Sequence, residues 1–297
     1  MIKQDYKEWK CFPYLKNANE LEEYFNARIS GHKEFFHYTT LKAINSILQN
    51  KYFCISSVDR FNDKKDREQF GDSDEQKKYY SLCFTSGVNE NLSLWYLYSG
   101  INGKGGRIGF TYNKLIKMLK ECRFYLTEYD YLNHMPRGKK RLLKPEDMQI
   151  DFRDVLYSRN DANREYASLK YNTMTNYGNM PVTELNSYKT KHIGFNKPVI
   201  WYYEKESRLL IKLIGEAEKR IKPKKSYAVL WELSDMYLKC MKIMCAPELT
   251  EESELKGYEA IEKFKMNTSR IEFSKNAGDV EMNICTRCMD KEERMKK

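Results

Sequence analysis

Apolar residues recur three to four positions apart in several stretches of the chain, which is the spacing of one helix face. In residues 40–49 they are Leu41, Ile44, Ile47 and Leu48. In residues 250–266 they are Leu255, Tyr258, Ile261 and Phe264. We therefore predict helices in both stretches, another over residues 91–99, and one that Asn113 caps and that ends near Cys122.

Short apolar runs bounded by turn-forming residues predict strands between these helices. They cover residues 35–39, 52–56, 80–85, 107–112, 123–131, 227–233 and 270–273. A longer run, Pro198 to Leu213, is predicted as one strand. Helices and strands follow one another without regular βαβ alternation, which predicts an α+β fold. Neither a G-x-G-x-x-G nor a G-x-x-x-x-G-K-[ST] pattern occurs, so the usual Rossmann and P-loop phosphate cradles are excluded.

The predicted organisation is one α+β domain over residues 35–275. A helical extension precedes it at residues 1–34, where Asn19 and Glu22 form a capping box, and a tail follows at residues 276–297. Residues 133–195 are polar, rich in asparagine and weakly amphipathic, which predicts an inserted helical lobe.

Composition narrows the class of protein. Hydrophobic residues make up 41% of the chain and aromatic residues 14%, which is typical of a globular protein. No run of 18 apolar residues occurs, and residues 1–7 lack the apolar region of a signal peptide, so we expect a cytoplasmic protein without a membrane span. The one C-x-x-C, Cys285 and Cys288, has no second pair and is a weak zinc signal, so no metal is expected.

The chain carries 52 basic and 42 acidic residues, a net charge of +10, which favours polyanionic partners such as nucleic acid or nucleotide phosphates. The excess is concentrated in two clusters. They are Arg137, Lys139, Lys140 and Arg141, and then Lys222, Lys224 and Lys225. A solvated, lysine-rich surface is the alternative interpretation of both clusters.

The predicted strand from Pro198 carries the most informative chemistry. Because side chains alternate along a strand, four polar residues share one face: Tyr202, Glu204, Glu206 and Arg208. Two carboxylates and a guanidinium are costly to bury without a role, so we interpret this face as the floor of an active site. A structural ion-pair network is the alternative.

An ordered series of motifs accompanies that strand. They are His37-Tyr38-Thr39, Phe61-Asn62-Asp63, Cys83-Phe84-Thr85-Ser86, Trp95 with Tyr98, Gly106-x-x-Gly109-Phe110, and Trp201-x-Tyr203-Glu204-x-Glu206-x-Arg208. The series resembles a bacterial family catalogued only as a domain of unknown function, number 2971. The resemblance covers most of residues 35–275 and implies no particular chemistry.

The His-x-Thr-type strand with its following helix also resembles, more distantly, the start of the ADP-ribosyltransferase superfamily. That resemblance implies a split, mixed or antiparallel sheet with flanking helices and NAD as the substrate. It gives His37 the ribose-holding role, Trp95 or Tyr98 the stacking role, and Glu206 or Glu204 the late catalytic acid. The other residues expected at the NAD site are Tyr38, Thr39 and Ser86. The transferase scheme does not explain Arg208, but Arg208 or Arg107 could bind the pyrophosphate through two hydrogen bonds.

We therefore expect an NAD-consuming, ADP-ribosyltransferase-like enzyme. The superfamily implies a toxin or antiviral defence effector that modifies nucleic acid or protein, and it leaves an inhibitory partner open. One alternative is a non-catalytic nucleic-acid- or nucleotide-binding module on a degenerate transferase scaffold. Another is a metal-dependent nuclease that uses Asp63, Asp66 and the glutamate pair.

Overall fold

The computed structural model describes residues 26–27, 29–87, 89–99, 104–133, 135–158, 193–249, 251–268 and 271–275. Within them the α-helices are α1 (Leu41–Asn50), α2 (Lys64–Glu68), α3 (Ser73–Gln76), α4 (Leu92–Tyr98), α5 (Tyr112–Glu121), α6 (Gly215–Lys219), α7 (Asp235–Cys240) and α8 (Glu259–Thr268). The first strands are β1 (Glu34–Thr40), β2 (Tyr52–Ser57), β3 (Tyr79–Ser86), β4 (Gly105–Thr111), β5 (Phe124–Asp130), β6 (Met135–Leu143) and β7 (Met148–Asp154). The later strands are β8 (Leu156–Ser158), β9 (Asn196–Pro198), β10 (Glu206–Leu213), β11 (Tyr227–Glu232), β12 (Lys242–Cys245) and β13 (Ile271–Phe273).

The chain divides into two compact units, and the first comprises residues 1–33, 54–86 and 123–231. Its sheet has the strand order β7-β10-β3-β2-β11-β5-β6. β10 is hydrogen-bonded on both sides, because it pairs antiparallel with β3 and with β7 over nearly its whole length. Nearly all of its residues are buried accordingly. A separate parallel pair joins β8 to β9.

One hydrophobic cluster of the first unit is built from segments that are far apart in sequence. Its buried members are Val58, Phe70, Tyr79, Phe195 and Leu210. The ring of Phe70 lies 5.0 Å from that of Tyr79, which fixes the segment after α2 against β3. The cluster therefore holds the loop before β9 beside the central strands of this unit.

The second unit comprises residues 34–53, 87–122 and 232–297. Its strand order is β13-β12-β4-β1, in which β12 and β13 are parallel and the other pairs antiparallel. Helix α1 packs on β4 with its apolar face, and Ile44 is fully buried there. A Cβ atom at Gly106 of β4 would lie 2.6 Å from Cδ1 of Ile44 and 3.0 Å from the carbonyl oxygen of Met244, so a larger residue would force these neighbours to shift.

The α+β class and most predicted elements are confirmed, but the strand predicted from Pro198 is shorter than expected. Val199–Glu204 forms a 3-10 helix, Lys205 adopts the left-handed conformation with a φ of 43°, and β10 begins only at Glu206. Tyr202 and Glu204 therefore do not alternate with Glu206 on one strand. A run of bulky apolar and aromatic residues does not distinguish a short helix from a strand.

The helical lobe predicted for residues 133–195 is wrong where the structure describes it, because residues 135–143, 148–154 and 156–158 are strands. β6 lies at the edge of its sheet with nearly all of its residues exposed, so its sequence lacks the apolar alternation of a half-buried strand. Residues 159–192 lie outside the described residues, as do most of the predicted N-terminal extension and the tail from residue 276. Among the described helices, none has the length and apolar character to cross a bilayer.

Candidate functional site

A fully buried ion network lies at the start of β10 in the first unit. Arg208 donates from Nε to Oε1 of Glu206 at 2.7 Å. Its two terminal nitrogens donate to the carboxylate oxygens of Asp66 at 3.0 and 2.8 Å, and one of them also donates to the carbonyl of Gly194. The predicted shared face of Glu206 and Arg208 is therefore confirmed, and α2 supplies a third charge, Asp66.

Lys197 of β9 completes the network. Its Nζ lies 2.7 Å from Oε2 of Glu204, 2.7 Å from Oε2 of Glu206 and 3.8 Å from Oδ2 of Asp66. The side chains of all five charged residues are at most one-tenth exposed. The sequence analysis missed Lys197, because a lysine in Asn-Lys-Pro carries no local signal of burial.

The electrostatics keep this network ionised. Burial alone would raise the pKa of Glu206, but the charges of Arg208 and Lys197 outweigh it and hold that pKa far below its ordinary value. Burial would lower the pKa of Lys197, yet the surrounding carboxylates raise it overall. Both oxygens of Glu206 thus face cations, and the side chain is nearly inaccessible. The geometry is that of a structural ion-pair network in this conformation. We call its five residues the buried clamp: Asp66, Lys197, Glu204, Glu206 and Arg208.

The turn beside the clamp is held by β3. Thr85 donates from Oγ1 to the carbonyl of Glu204 at 2.7 Å, and Ser86 donates from Oγ to the carbonyl of Lys205 at 3.4 Å. Ser86, predicted for the NAD site, thus lies beside the backbone of the left-handed turn. In this structure its hydroxyl is hydrogen-bonded to that turn.

A second cluster lies in the second unit, around Arg107 of β4. Nη1 of Arg107 donates to the hydroxyl of Tyr38 at 3.1 Å and to the carbonyl of Asn89 at 3.4 Å. The Tyr38 ring meets the Trp95 ring edge-on, with 4.6 Å between centroids. Trp95 is fully buried and donates from Nε1 to Glu90 at 3.1 Å. Tyr38 and Trp95, two predicted site residues, are therefore brought together.

The other predicted residues of this unit lie apart from that cluster. His37 is next to Tyr38 in β1, so its side chain points to the opposite face, where its ring packs 5.9 Å from Phe53. Thr39 pairs with Gly106 in the ladder between β1 and β4. Tyr98 is 43% exposed at the end of α4. Ser86, Glu204, Glu206 and Arg208 belong to the first unit instead.

Arg107 borders a pocket of about 430 Å³ within the second unit. Its lining residues are Glu34, Phe36, Asn89, Glu90, Arg107, Lys242, Ile243, Met244, Glu272 and Lys275. Arg107 is only 3% exposed, and its guanidinium carbon lies 4.1 Å above the centre of the Phe36 ring. Its buried Nε has no hydrogen-bond partner among the described residues. A buried cationic donor without a partner beside a pocket is the chemistry of an anion site.

The three glutamates that line the pocket differ in their ion-pair and hydrogen-bond partners. Glu34 pairs with Lys242 at 2.5 Å. Glu90 accepts hydrogen bonds from the Ser274 hydroxyl, the Lys275 amide and Trp95, and these outweigh burial and lower its pKa. The side chain of Glu272 makes no ion pair or hydrogen bond within the described part of the chain. Its carboxylate is therefore free to act on a molecule in the pocket.

Residues 94–209 match the family model described as Protein of unknown function (DUF2971). The matched segment begins next to Trp95 and ends just after Arg208, so it includes both Arg107 and most of the buried clamp. It supports the resemblance carried by the ordered motifs. No curated protein matches the chain.

The described residues contain no group of three histidine, cysteine or acidic side chains arranged to hold a metal ion. Asp63, assigned to the nuclease alternative, caps α2 by accepting the amide of Lys65 at 2.9 Å. The carboxylates of Asp66 and Glu206 are bound by Arg208. The nuclease alternative thus finds no support in the donor groups that it invoked.

Proposed function

We propose that the second unit binds a phosphate-bearing ligand of the nucleotide class in the Arg107 pocket, with NAD as the first ligand to test. The single observation that carries the proposal is the buried, unpartnered Nε of Arg107 beside the pocket. This is the nucleotide-binding alternative of the sequence analysis, placed at a different site.

The properties of Arg107 favour phosphate over other anions. A guanidinium presents its donors in a planar fork that matches phosphate oxygens, and it stays charged at any physiological pH. Phe36 packs against the guanidinium, and Tyr38 holds Nη1, so little side-chain entropy remains to be lost on binding. Lys275 lines the same pocket and adds positive charge, whereas the charge of Lys242 is paired with that of Glu34.

The size and walls of the pocket favour more than a bare phosphate. Its volume of about 430 Å³ falls within the usual range for small-molecule sites. Ile243 and Met244 add apolar wall to the charged rim, which suits a ligand with both a base and a phosphate. The split-sheet transferase fold that the sequence resembles is consistent with NAD and remains part of this proposal.

Calorimetric titration with NAD, ADP-ribose and nicotinamide riboside tests the proposal. We expect the two phosphate-bearing compounds to bind and the riboside not to bind. Arg107→Gln removes a charge-assisted hydrogen bond and should weaken binding by about 2 kcal/mol, roughly thirtyfold. Arg220→Gln, at an exposed arginine of the first unit, is the matched control and should bind as the wild type does. Equal affinity of Arg107→Gln and wild type, or riboside binding as tight as NAD binding, would refute the proposal.

Cleavage of NAD is the second candidate function, and the free carboxylate of Glu272 in the same pocket favours it. In that reaction the bond between ribose C1′ and nicotinamide breaks, and its electron pair leaves with nicotinamide. An acceptor hydroxyl or water forms the new bond to C1′ and loses its proton. A nearby carboxylate stabilises the oxocarbenium ion that develops between these events.

Nicotinamide release from NAD distinguishes the two functions, with RNA, DNA and protein offered as acceptors. If the pocket is catalytic, Glu272→Gln should lose release while still binding NAD. Glu206→Gln tests the acid that the sequence favoured, and its melting temperature must be measured alongside because it breaks the buried clamp. NAD binding without nicotinamide release by the wild type would leave binding as the function and remove the transferase, toxin and antiviral interpretations.

A further inference from the structure

The two basic clusters of the sequence meet at β5 in the first unit, although some 80 residues separate them. Glu128 of β5 lies opposite Arg137 of β6 on one side and Tyr227 of β11 on the other. Lys225, at the end of the loop before β11, reaches Glu128 at 2.5 Å, and Arg137 pairs with Asp130. The fold therefore joins both clusters into one surface. We call it the basic edge: Arg137, Lys139, Lys140, Arg141, Lys222, Lys224 and Lys225.

Most of the basic edge has no counter-ion. Lys139, Arg141, Lys222 and Lys224 are exposed and make no ion pair in the part of the chain that the structure describes. Together with the paired Arg137 and Lys225, they leave an uncompensated positive charge on this surface. An excess of like charge that the protein does not neutralise itself is available to a polyanion.

The backbone of β6 also lifts this charge outwards. Arg141 is opposite Leu126 and Arg137 is opposite Glu128. Three residues of β6 therefore lie between these pairs against one residue of β5, so this segment of β6 bulges. Gly138 allows the bulge, because its φ of +85° suits glycine and no atom lies within 4 Å of the place a Cβ would take. These cations of β6 thus lie on the edge strand of the sheet, within and on both sides of the bulge.

We propose that the basic edge binds the phosphate backbone of nucleic acid without reading its sequence. Arg137 and Arg141 flank the bulge opposite residues that are two apart on β5, which is about 7 Å along the strand. The loop with Lys222 and Lys224 leads into β11, which is two strand spacings, or about 10 Å, from β6. A row of like charges over such a span fits a polymer that repeats one anion regularly. Lysines on an edge strand also prevent aggregation, but that role does not require a second basic loop to converge on the same strand.

Fluorescence anisotropy with a short labelled duplex and the same sequence as a single strand tests this proposal in the full chain. Lys139→Ala with Arg141→Ala should weaken binding about tenfold and reduce the slope of log K against log salt by about two between about 50 and 200 mM salt. Lys222→Ala with Lys224→Ala should do the same. Lys114→Ala with Lys120→Ala, exposed lysines of α5 in the second unit, removes equal charge and should leave both quantities nearly unchanged.

Two results would overturn the proposal. One is an equal effect of the α5 control, which would show that only total charge matters. The other is binding to vesicles of anionic lipid or to an acidic protein with no measurable binding to nucleic acid. Arg107→Gln should leave nucleic-acid binding intact, so this inference and the nucleotide pocket can fail separately.

Discussion

Two buried arginines in strands have opposite surroundings in this protein. All three side-chain nitrogens of Arg208 donate hydrogen bonds to carboxylate or carbonyl oxygens. Arg107 is also buried, yet Nη1 donates both of the hydrogen bonds described above, and Nε has no partner among the described residues. The satisfied Arg208 fixes structure, whereas the unsatisfied Nε of Arg107 beside a pocket is the observation behind the proposed ligand site. Exposure alone does not separate these roles.

Replacing Glu206 by glutamine should destabilise the first unit, because it leaves Lys197 and Arg208 with fewer charged partners. Breaking a buried ion pair costs about 3 kcal/mol, so we expect a lower urea midpoint at pH 7. Glu216→Gln is the control, since that carboxylate is exposed, and its midpoint should stay near that of the wild type. An unchanged midpoint for Glu206→Gln would contradict the clamp.

The same variant predicts a difference in pH dependence. The pKa of Glu206 is lower in the folded protein than its ordinary value of 4.5, so its contribution to stability is complete above that value. The contribution is lost as the pH falls through the folded pKa, because the carboxylate then takes up its proton. Stability should therefore fall less steeply in Glu206→Gln than in the wild type when the pH is lowered below 4.5. Parallel curves would show that Glu206 does not titrate with unfolding.

For individual residues, the sequence predicted only the side-chain positions that follow from alternation along one strand. Glu206 and Arg208 are two apart, so their shared face followed from the strand period. Lys197 and Asp66 join them through tertiary packing alone, which no local pattern encodes. The sequence offered Arg107 only as an alternative to Arg208 for the pyrophosphate, because a single charge in the glycine-rich apolar run of β4 does not show which arginine borders a pocket.

The N-termini of two helices show how a single side chain can stabilise the start of a helix. Thr40 caps α1, and its Oγ1 accepts the amide of Ala43 at 3.2 Å. Thr111 occupies the corresponding position before α5 but makes no such bond. Both helices have ten residues and belong to the second unit, so the two threonines form a matched pair.

Thr40→Ala should lower the free energy of unfolding by about 1 kcal/mol, because it leaves an amide at the start of α1 without its partner. Thr111→Ala should change stability much less, since no capping bond is lost. Chemical denaturation of both variants beside the wild type measures the difference. Equal losses would mean that the two threonines act through the unfolded chain or through packing instead.

Element boundaries were predictable where apolar periodicity was strong, as in α1. The end of α5 was also predicted, but its start was wrong, because Thr111 rather than Asn113 occupies the N-cap position. Boundaries were not predictable at Val199–Glu204, because the left-handed turn at Lys205 follows from hydrogen bonds that Thr85 and Ser86 supply from β3. The edge strand β6 escaped prediction for a different reason. Almost none of its side chains is buried, so its sequence is under little pressure to alternate.

For the molecule as a whole, the α+β class followed from the order of the elements, whereas the division into two units did not. Each unit collects segments that are not adjacent in sequence, and the second draws on three separate stretches of the chain. Contacts between such segments depend on packing rather than on composition. The net charge, by contrast, is a property that the sequence gives directly.

A net charge of +10 should make stability depend on salt. Repulsion among the excess cations opposes the compact state, and the screening length shrinks from about 30 Å to about 8 Å between about 0.01 and 0.15 M salt. We therefore expect the melting temperature to rise over this range, measured by calorimetry with sucrose as an uncharged additive for comparison. A fall would show that screened ion pairs outweigh the repulsion.

The unmet donor of Arg107 also bears on the stability of the protein. Leaving a buried donor such as Nε of Arg107 without a partner costs about 1 to 3 kcal/mol relative to an apolar side chain at the same position. Under the proposed function, Arg107 exchanges stability for ligand binding. A bound phosphate would then remove this cost, and occupancy should extend the lifetime of the protein in the cell.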